Sequence, residues 1–314
     1  MMKLLKICGA FLILSCLYQT ANAGPLLDKL KARMAERQQG NEADDGGIGS
    51  SQSFTLPAGA TLKSDIAYGN DKAQRMDVYI PQNAQNAPVI FMVHGGGWKR
   101  GDKAMNRVVE NKVNRWLPKG IIFVSTNYRM LPDADPLVQA NDVALALAKA
   151  QSLAASWGGD SKRFVIMGHS AGAHLVALIT ASPSIAKQQG AQPWLGTVML
   201  DSAGYDIEKV MTSKHMGLYD NAFGTDTSFW HKASPSDQMT QKTVPMLAVC
   251  STQRKDQPCP KQAQPFVDKA IGFGTKASTL PEALSHGEIN ENLGLPGDYT
   301  DQVEGFMRSA GLFN

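Results

Sequence analysis

Two kinds of apolar run alternate along the chain, and their periods separate strands from helices. Residues 88–93, Pro-Val-Ile-Phe-Met-Val, are continuously apolar, as expected of a strand covered on both faces. Residues 62–68 and 75–80 instead alternate like an antiparallel pair, with Gly69-Asn70-Asp71 as turn material between them. Further strands are expected at 121–125, at the run that ends in His169, at 197–200, at 244–249 and near 277–280. Helical spacing predicts helices over 106–117, 136–157, 171–181 and 261–271. Strands alternating with helices of ten or more residues imply an α/β, three-layer, one-domain fold: a mainly parallel sheet with helices on both faces. No internal repeat interrupts this order.

The first 53 residues do not share the pattern. Lys3 and Lys6 precede an apolar run from Ile7 to Leu17, which ends in Ala21-Asn22-Ala23. This reads as a signal peptide cut after Ala23, with a run too short to remain as a membrane span. A lipoprotein anchor at Cys16 is the weaker reading, because Leu14 stands two before the cysteine. Residues 24–53 hold a short amphipathic stretch and then a polar segment, Gln38-Gln39-Gly40-Asn41-Glu42-Ala43-Asp44-Asp45-Gly46-Gly47. Such a segment buries too little to offset its ordering entropy and reads as a flexible linker. The α/β domain then spans 54–314, with an insert at about 202–243.

The 314 residues carry 31 basic and 28 acidic side chains, and losing residues 1–23 leaves a net charge near +1. Nothing there points to nucleic acid or an anionic membrane surface. The two cysteines left after cleavage, Cys250 and Cys259, lie nine apart with no further soft ligand clustered near them. In an exported chain they are expected to form a disulfide rather than a metal site.

The most informative stretch is Gly168-His169-Ser170-Ala171-Gly172, between the strand ending at His169 and an apolar helix. A serine lifted on a sharp strand-to-helix turn needs small residues two before and two after it, and Gly168 and Gly172 fill those places. Upstream, His94-Gly95-Gly96-Gly97-Trp98 follows a strand directly. Three glycines in a row cost backbone entropy and suggest main-chain amides that must approach something closely. The amides of Gly96, Gly97 and Ala171 are the candidate oxyanion hole.

A base and an acid should follow the serine in the chain. Of the six histidines, His94 is explained as an orienter of the glycine loop, and His169 and His174 by packing. His215 and His231 lie in the insert. His286, in a loop after the last strand, is the candidate base. Asp256, between Cys250 and Cys259, is the candidate acid, with Asp201 at the end of the preceding strand as its competitor. The insert's Tyr205, Met211, Met216, Tyr219, Phe223, Phe229 and Trp230 either pack it onto the domain or line a pocket over Ser170.

With these residues in place, the chain resembles the α/β-hydrolase superfamily, and within it the bacterial carboxylesterases and lipases related to hormone-sensitive lipase. The resemblance runs from about Ser64 to the C-terminus and rests on five pieces. These are residues 94–98, Gly101-Asp102-Lys103, Asn127-Tyr128-Arg129, residues 168–172 and Ser285-His286-Gly287. It implies hydrolysis of short-chain esters, small molecules, through an acyl-enzyme with no cofactor and no metal, with Ser170 as nucleophile, His286 as base and Asp256 as acid. Two departures stand out. The family's acid loop usually reads Asp-x-x-Val-Pro, where this chain has Asp256-Gln257-Pro258-Cys259-Pro260, and the lipase-like N-terminal cap helices are not evident. Kynurenine-formamidase-like enzymes share a similar glycine loop and elbow, which makes an arylformamidase the enzymatic alternative. A non-catalytic binding protein on a hydrolase scaffold is the alternative from another class.

Overall fold

The apolar runs become eight strands of one sheet. They are β1 (Thr61–Ala67), β2 (Arg75–Ile80), β3 (Ala87–Val93), β4 (Ile122–Thr126), β5 (Gly159–His169), β6 (Gly196–Leu200), β7 (Met246–Ser251) and β8 (Ala277–Glu282). This computed structural model describes residues 54–313, all within the unit Gln39–Asn314. The expected signal peptide and linker therefore lie outside the described residues. The strand order is β1-β2-β4-β3-β5-β6-β7-β8. β1 and β2 pair antiparallel, as do β2 and β4, and every later pair is parallel.

Period two sorts the central strands between two cores. Val89, Phe91 and Val93 of β3 face one side with Ile166 of β5, while Ile90 and Met92 face the other with Val165 and Met167. Because both sides are apolar, the strands read as continuous rather than alternating. The first core is covered by α2 (Pro136–Leu153) and α3 (Ala171–Ala181), the second by α1 (Asn106–Trp116) and the C-terminal helix Asp298–Ser309. Asp135 caps α2 by accepting from the amides of Leu137 and Val138, with Pro136 at the first helical position. Past Leu153 the chain tightens into the 3₁₀ turn Ala154–Trp157 rather than continuing the expected α-helix. All eleven residues of α3 are buried, as its lack of a polar face requires.

Several helices were not foreseen. Asp298–Ser309 buries Thr300, Val303, Glu304 and Met307, one helical stripe. His286, expected in a loop, instead opens the short helix His286–Glu291. Ser285 caps that helix, accepting from the Glu288 amide while the Glu288 carboxylate accepts from the Ser285 amide. The insert folds as four short helices: Ile207–Met211, Gly217–Phe223, Thr227–Ala233 and Pro235–Gln238. The parallel strands deliver the motif residues to one edge of the sheet, since His94, Ser170, Asp201, Arg254 and His286 all follow the carboxyl ends of β3, β5, β6, β7 and β8.

Candidate active site

The turn between β5 and α3 holds Ser170 at φ 53° and ψ −117°, a conformation L residues rarely adopt and keep only where their surroundings over-determine it. The surroundings are backbone. A Cβ on Gly168 would stand 2.3 Å from the Gly172 carbonyl oxygen, and one on Gly172 would stand 2.3 Å from that of Val93. The two glycines are therefore required by close approach, within the turn and between the turn and β3. The Ser170 amide donates to the Leu200 carbonyl at 2.9 Å, which ties the elbow to the strand that ends beside Asp201.

The glycine loop lies directly against this turn, since a Cβ on Gly95 would meet Ser170 Cβ at 2.9 Å. Gly96 has φ +123°, and a Cβ there would collide with the Arg100 carbonyl oxygen at 2.0 Å, so no other residue fits. His94 Nδ1 donates to the Gly95 carbonyl at 2.7 Å while its ring stacks on Tyr128, the orienting part expected of it. Trp98 is buried under the insert, its ring edge-on to Phe223 and its Nε1 donating to His174 Nδ1 at 3.2 Å. Since that nitrogen accepts, His174 Nε2 carries the proton and donates to the Ala233 carbonyl at 2.8 Å. Burial lowers the His174 pKa to about 4, so the neutral tautomer persists. Among the described residues, the amides of Gly96, Gly97 and Ala171 donate to no protein acceptor.

The carboxylate that meets the imidazole is Asp201, not Asp256. His286 Nδ1 donates to Asp201 Oδ2 at 2.6 Å, with the two side chains 8% and 0% exposed. Asp256 instead receives Arg254 Nε at 2.9 Å and the same residue's Nη2, and its side chain is 38% exposed. An acid that stabilises an imidazolium must be sheltered from water, and only Asp201 is. Its Oδ1 accepts from the Ser251 amide at 2.8 Å, and Oδ2 accepts additionally from Arg254 Nη1 at 2.9 Å. Burial alone would raise the Asp201 pKa. The Arg254 charge, the His286 contact and the Ser251 amide outweigh it and hold the carboxyl well below the usual range.

His286 is joined to the elbow by its own backbone. His169 Nε2 donates to the His286 carbonyl at 2.9 Å, and the two rings lie 4.6 Å apart. Burial, reinforced by the neighbouring imidazole, lowers the His169 pKa well below its ordinary value and keeps it a neutral donor. The expected Cys250–Cys259 disulfide is present, closing the loop that carries Arg254 and Asp256. Sequence reasoning gave Arg254 no part, although its guanidinium reaches the Asp201–His286 pair. Of the insert's aromatic set, Tyr205, Tyr219 and Phe223 are buried packing residues. Leu218, not singled out before, has its Cβ 3.9 Å from a Cβ placed on Gly97. Among the described residues no His, Cys, Asp and Glu cluster forms a metal site, and no helix is long and apolar enough to cross a membrane.

The profile of the BD-FAE family matches residues 76–269. A probable isoprenylcysteine alpha-carbonyl methylesterase ICME of Oryza sativa is 29% identical over 165 residues, covering 50% of this chain and 39% of that protein. Esterase LipC of Mycobacterium tuberculosis is 26% identical over 219 residues, covering 65% and 54% respectively. The chain thus spans little more than half the length of these relatives at most. Thermogutta terrifontis esterase 2 superposes with a TM-score of 0.66 at 20% identity, over 82% of this chain and 97% of that one, which shows the α/β-hydrolase fold.

Proposed function

The chain belongs to the BD-FAE family, and from that premise we propose that it is an exported serine carboxylesterase that hydrolyses short-chain carboxylic esters through an acyl-enzyme. The observation that carries the reading is the sheltered Asp201–His286 pair bonded to the elbow that raises Ser170. In the proposed cycle His286 Nε2 takes the Ser170 hydroxyl proton as Oγ attacks the ester carbonyl. The imidazolium then gives that proton to the departing alcohol oxygen as the carbon–oxygen bond breaks, leaving the acyl group on Ser170. Water, deprotonated by the same imidazole, attacks the acyl-enzyme; the imidazolium returns the proton to Ser170 Oγ as the acyl–oxygen bond breaks and the carboxylic acid leaves. Asp201 holds the Nδ1–H tautomer and stabilises the cation without taking the proton. The amides of Gly96, Gly97 and Ala171 receive the oxyanion of each tetrahedral intermediate.

The short-chain preference rests on the resemblance to the bacterial carboxylesterases. The Cys250–Cys259 disulfide supports export, together with the signal-like segment at residues 1–23.

The test is turnover of p-nitrophenyl esters of increasing acyl length by wild type and Ser170→Ala. We expect activity that falls with chain length, and a loss of at least about ten thousandfold in the variant. Activity that survives in Ser170→Ala overturns the reading. Faster cleavage of N-formylkynurenine than of p-nitrophenyl acetate replaces the ester with an amide substrate, and a wild type that a fluorophosphonate probe does not label is a binding protein.

A further inference from the structure

We infer that Arg254 is a positioning residue for the Asp201–His286 pair, held there by the Cys250–Cys259 ring; the inference rests on the esterase reading above. A guanidinium with an 11% exposed side chain is costly to desolvate unless its donors are matched. Here they are matched by two carboxylates and a carbonyl. Nη1 donates to Asp201 Oδ2 at 2.9 Å and to the Asp201 carbonyl at 3.2 Å, and Nε and Nη2 hold Asp256. Its donors are taken up by Asp201 and Asp256, so it acts through Asp201.

The consequence is a carboxylate with its rotation fixed. Oδ1 is held by the Ser251 amide, and Oδ2 is shared between Arg254 Nη1 and His286 Nδ1. The Arg254 Nη1 to His286 Nδ1 separation of 3.2 Å is a contact between two donors turned toward one acceptor, not a bond. Ser251 and Arg254 both sit in the segment that the disulfide closes. That segment is also fastened to the chain leading to His286, because Ser251 Oγ donates to the Leu284 carbonyl at 2.6 Å and Gln253 Nε2 to that of Ala283 at 2.8 Å. One small ring therefore registers acid and base together.

The experiment compares wild type with Arg254→Met, Arg254→Lys and the double variant Cys250→Ser/Cys259→Ser, using p-nitrophenyl acetate, with melting temperatures as the control for folding. In Arg254→Met we expect kcat to fall roughly thirtyfold and KM to stay within about threefold. Arg254→Lys keeps the charge and loses the fork, so it restores part of kcat. The double cysteine variant lowers kcat in the same direction as Arg254→Met, by less. The inference is overturned if folded Arg254→Met keeps kcat within about threefold, or if KM rises as far as kcat falls. Should Arg254→Met not fold, Arg254→Lys decides, because a folded lysine variant with the kcat of wild type contradicts a role for the guanidinium fork. A wild type without Ser170-dependent turnover sinks the esterase reading instead, a result none of the Arg254 variants can mimic.

Discussion

The elbow after β5 and the loop after β7 do comparable work by different means. In the elbow the backbone sets the geometry: Gly168, Gly172 and Val93 approach so closely that only glycine fits, and Ser170 takes its unusual φ without help from a charge. In the loop after β7 side chains set it. A disulfide closes the chain, a buried guanidinium spans two carboxylates, and the acid it steadies belongs to the neighbouring strand β6. Geometry imposed by backbone contact leaves a fixed residue pattern, whereas geometry imposed by ion pairing can be met by several arrangements of the same charges.

Gly172→Ala is the strongest way to break the elbow. Its Cβ would meet the carbonyls of Val93 and His94 at 2.3 and 2.4 Å, both backbone atoms of β3 and its end. We expect a loss of at least about 3 kcal/mol in chemical denaturation, the upper end for overpacking, with activity lost as well. An alanine variant as stable as wild type would show that the elbow is not fixed by backbone contact.

Acidification tests the same region through His174, which joins Trp98 to the insert. Its folded pKa of about 4 lies below the ordinary histidine value of 6.5, so the unfolded chain takes up the proton first. Its contribution is complete above pH 6.5 and is lost as pH falls toward 4, roughly 3 kcal/mol over the whole window. Melting temperatures measured across that window should decline, and His174→Gln, able to accept from Trp98 and donate to Ala233, should decline less. Equal slopes would remove His174 from the account.

The loop after β7 is sharpened by the disulfide. Cys250→Ser/Cys259→Ser should lose about 2 to 3 kcal/mol, the entropy of a ring this small. Unchanged stability would mean that Arg254 and its carboxylates hold the loop unaided.

The same contrast explains what could be read from the residues. The strands and the long helices were legible because two apolar faces and helical stripes leave periodic traces, and Ser170 and the glycine loop because close contacts demand glycine. The short helix that His286 opens was missed, although Ser285 and Glu288 have the spacing of a capping box. The partner of His286 was not legible. Setting the acid pattern on Pro260 selects Asp256, whereas setting it on Pro258 puts Arg254 in the acid's place and leaves Asp201 to supply the carboxylate. Burial separates the two carboxylates, and burial at a strand end depends on what the insert and the loop after β7 cover. One signal was available: Asp256 sits in the polar run Gln253-Arg254-Lys255-Asp256-Gln257, while Asp201 directly follows the apolar β6.

The central claim is that Asp201, steadied from the disulfide-closed loop, is the carboxylate that serves His286. Its most direct test is kcat/KM for p-nitrophenyl acetate in Asp201→Asn and Asp256→Asn, measured side by side on folded protein. We expect a loss of at least about a thousandfold for Asp201→Asn and less than about tenfold for Asp256→Asn. The reverse order would contradict it.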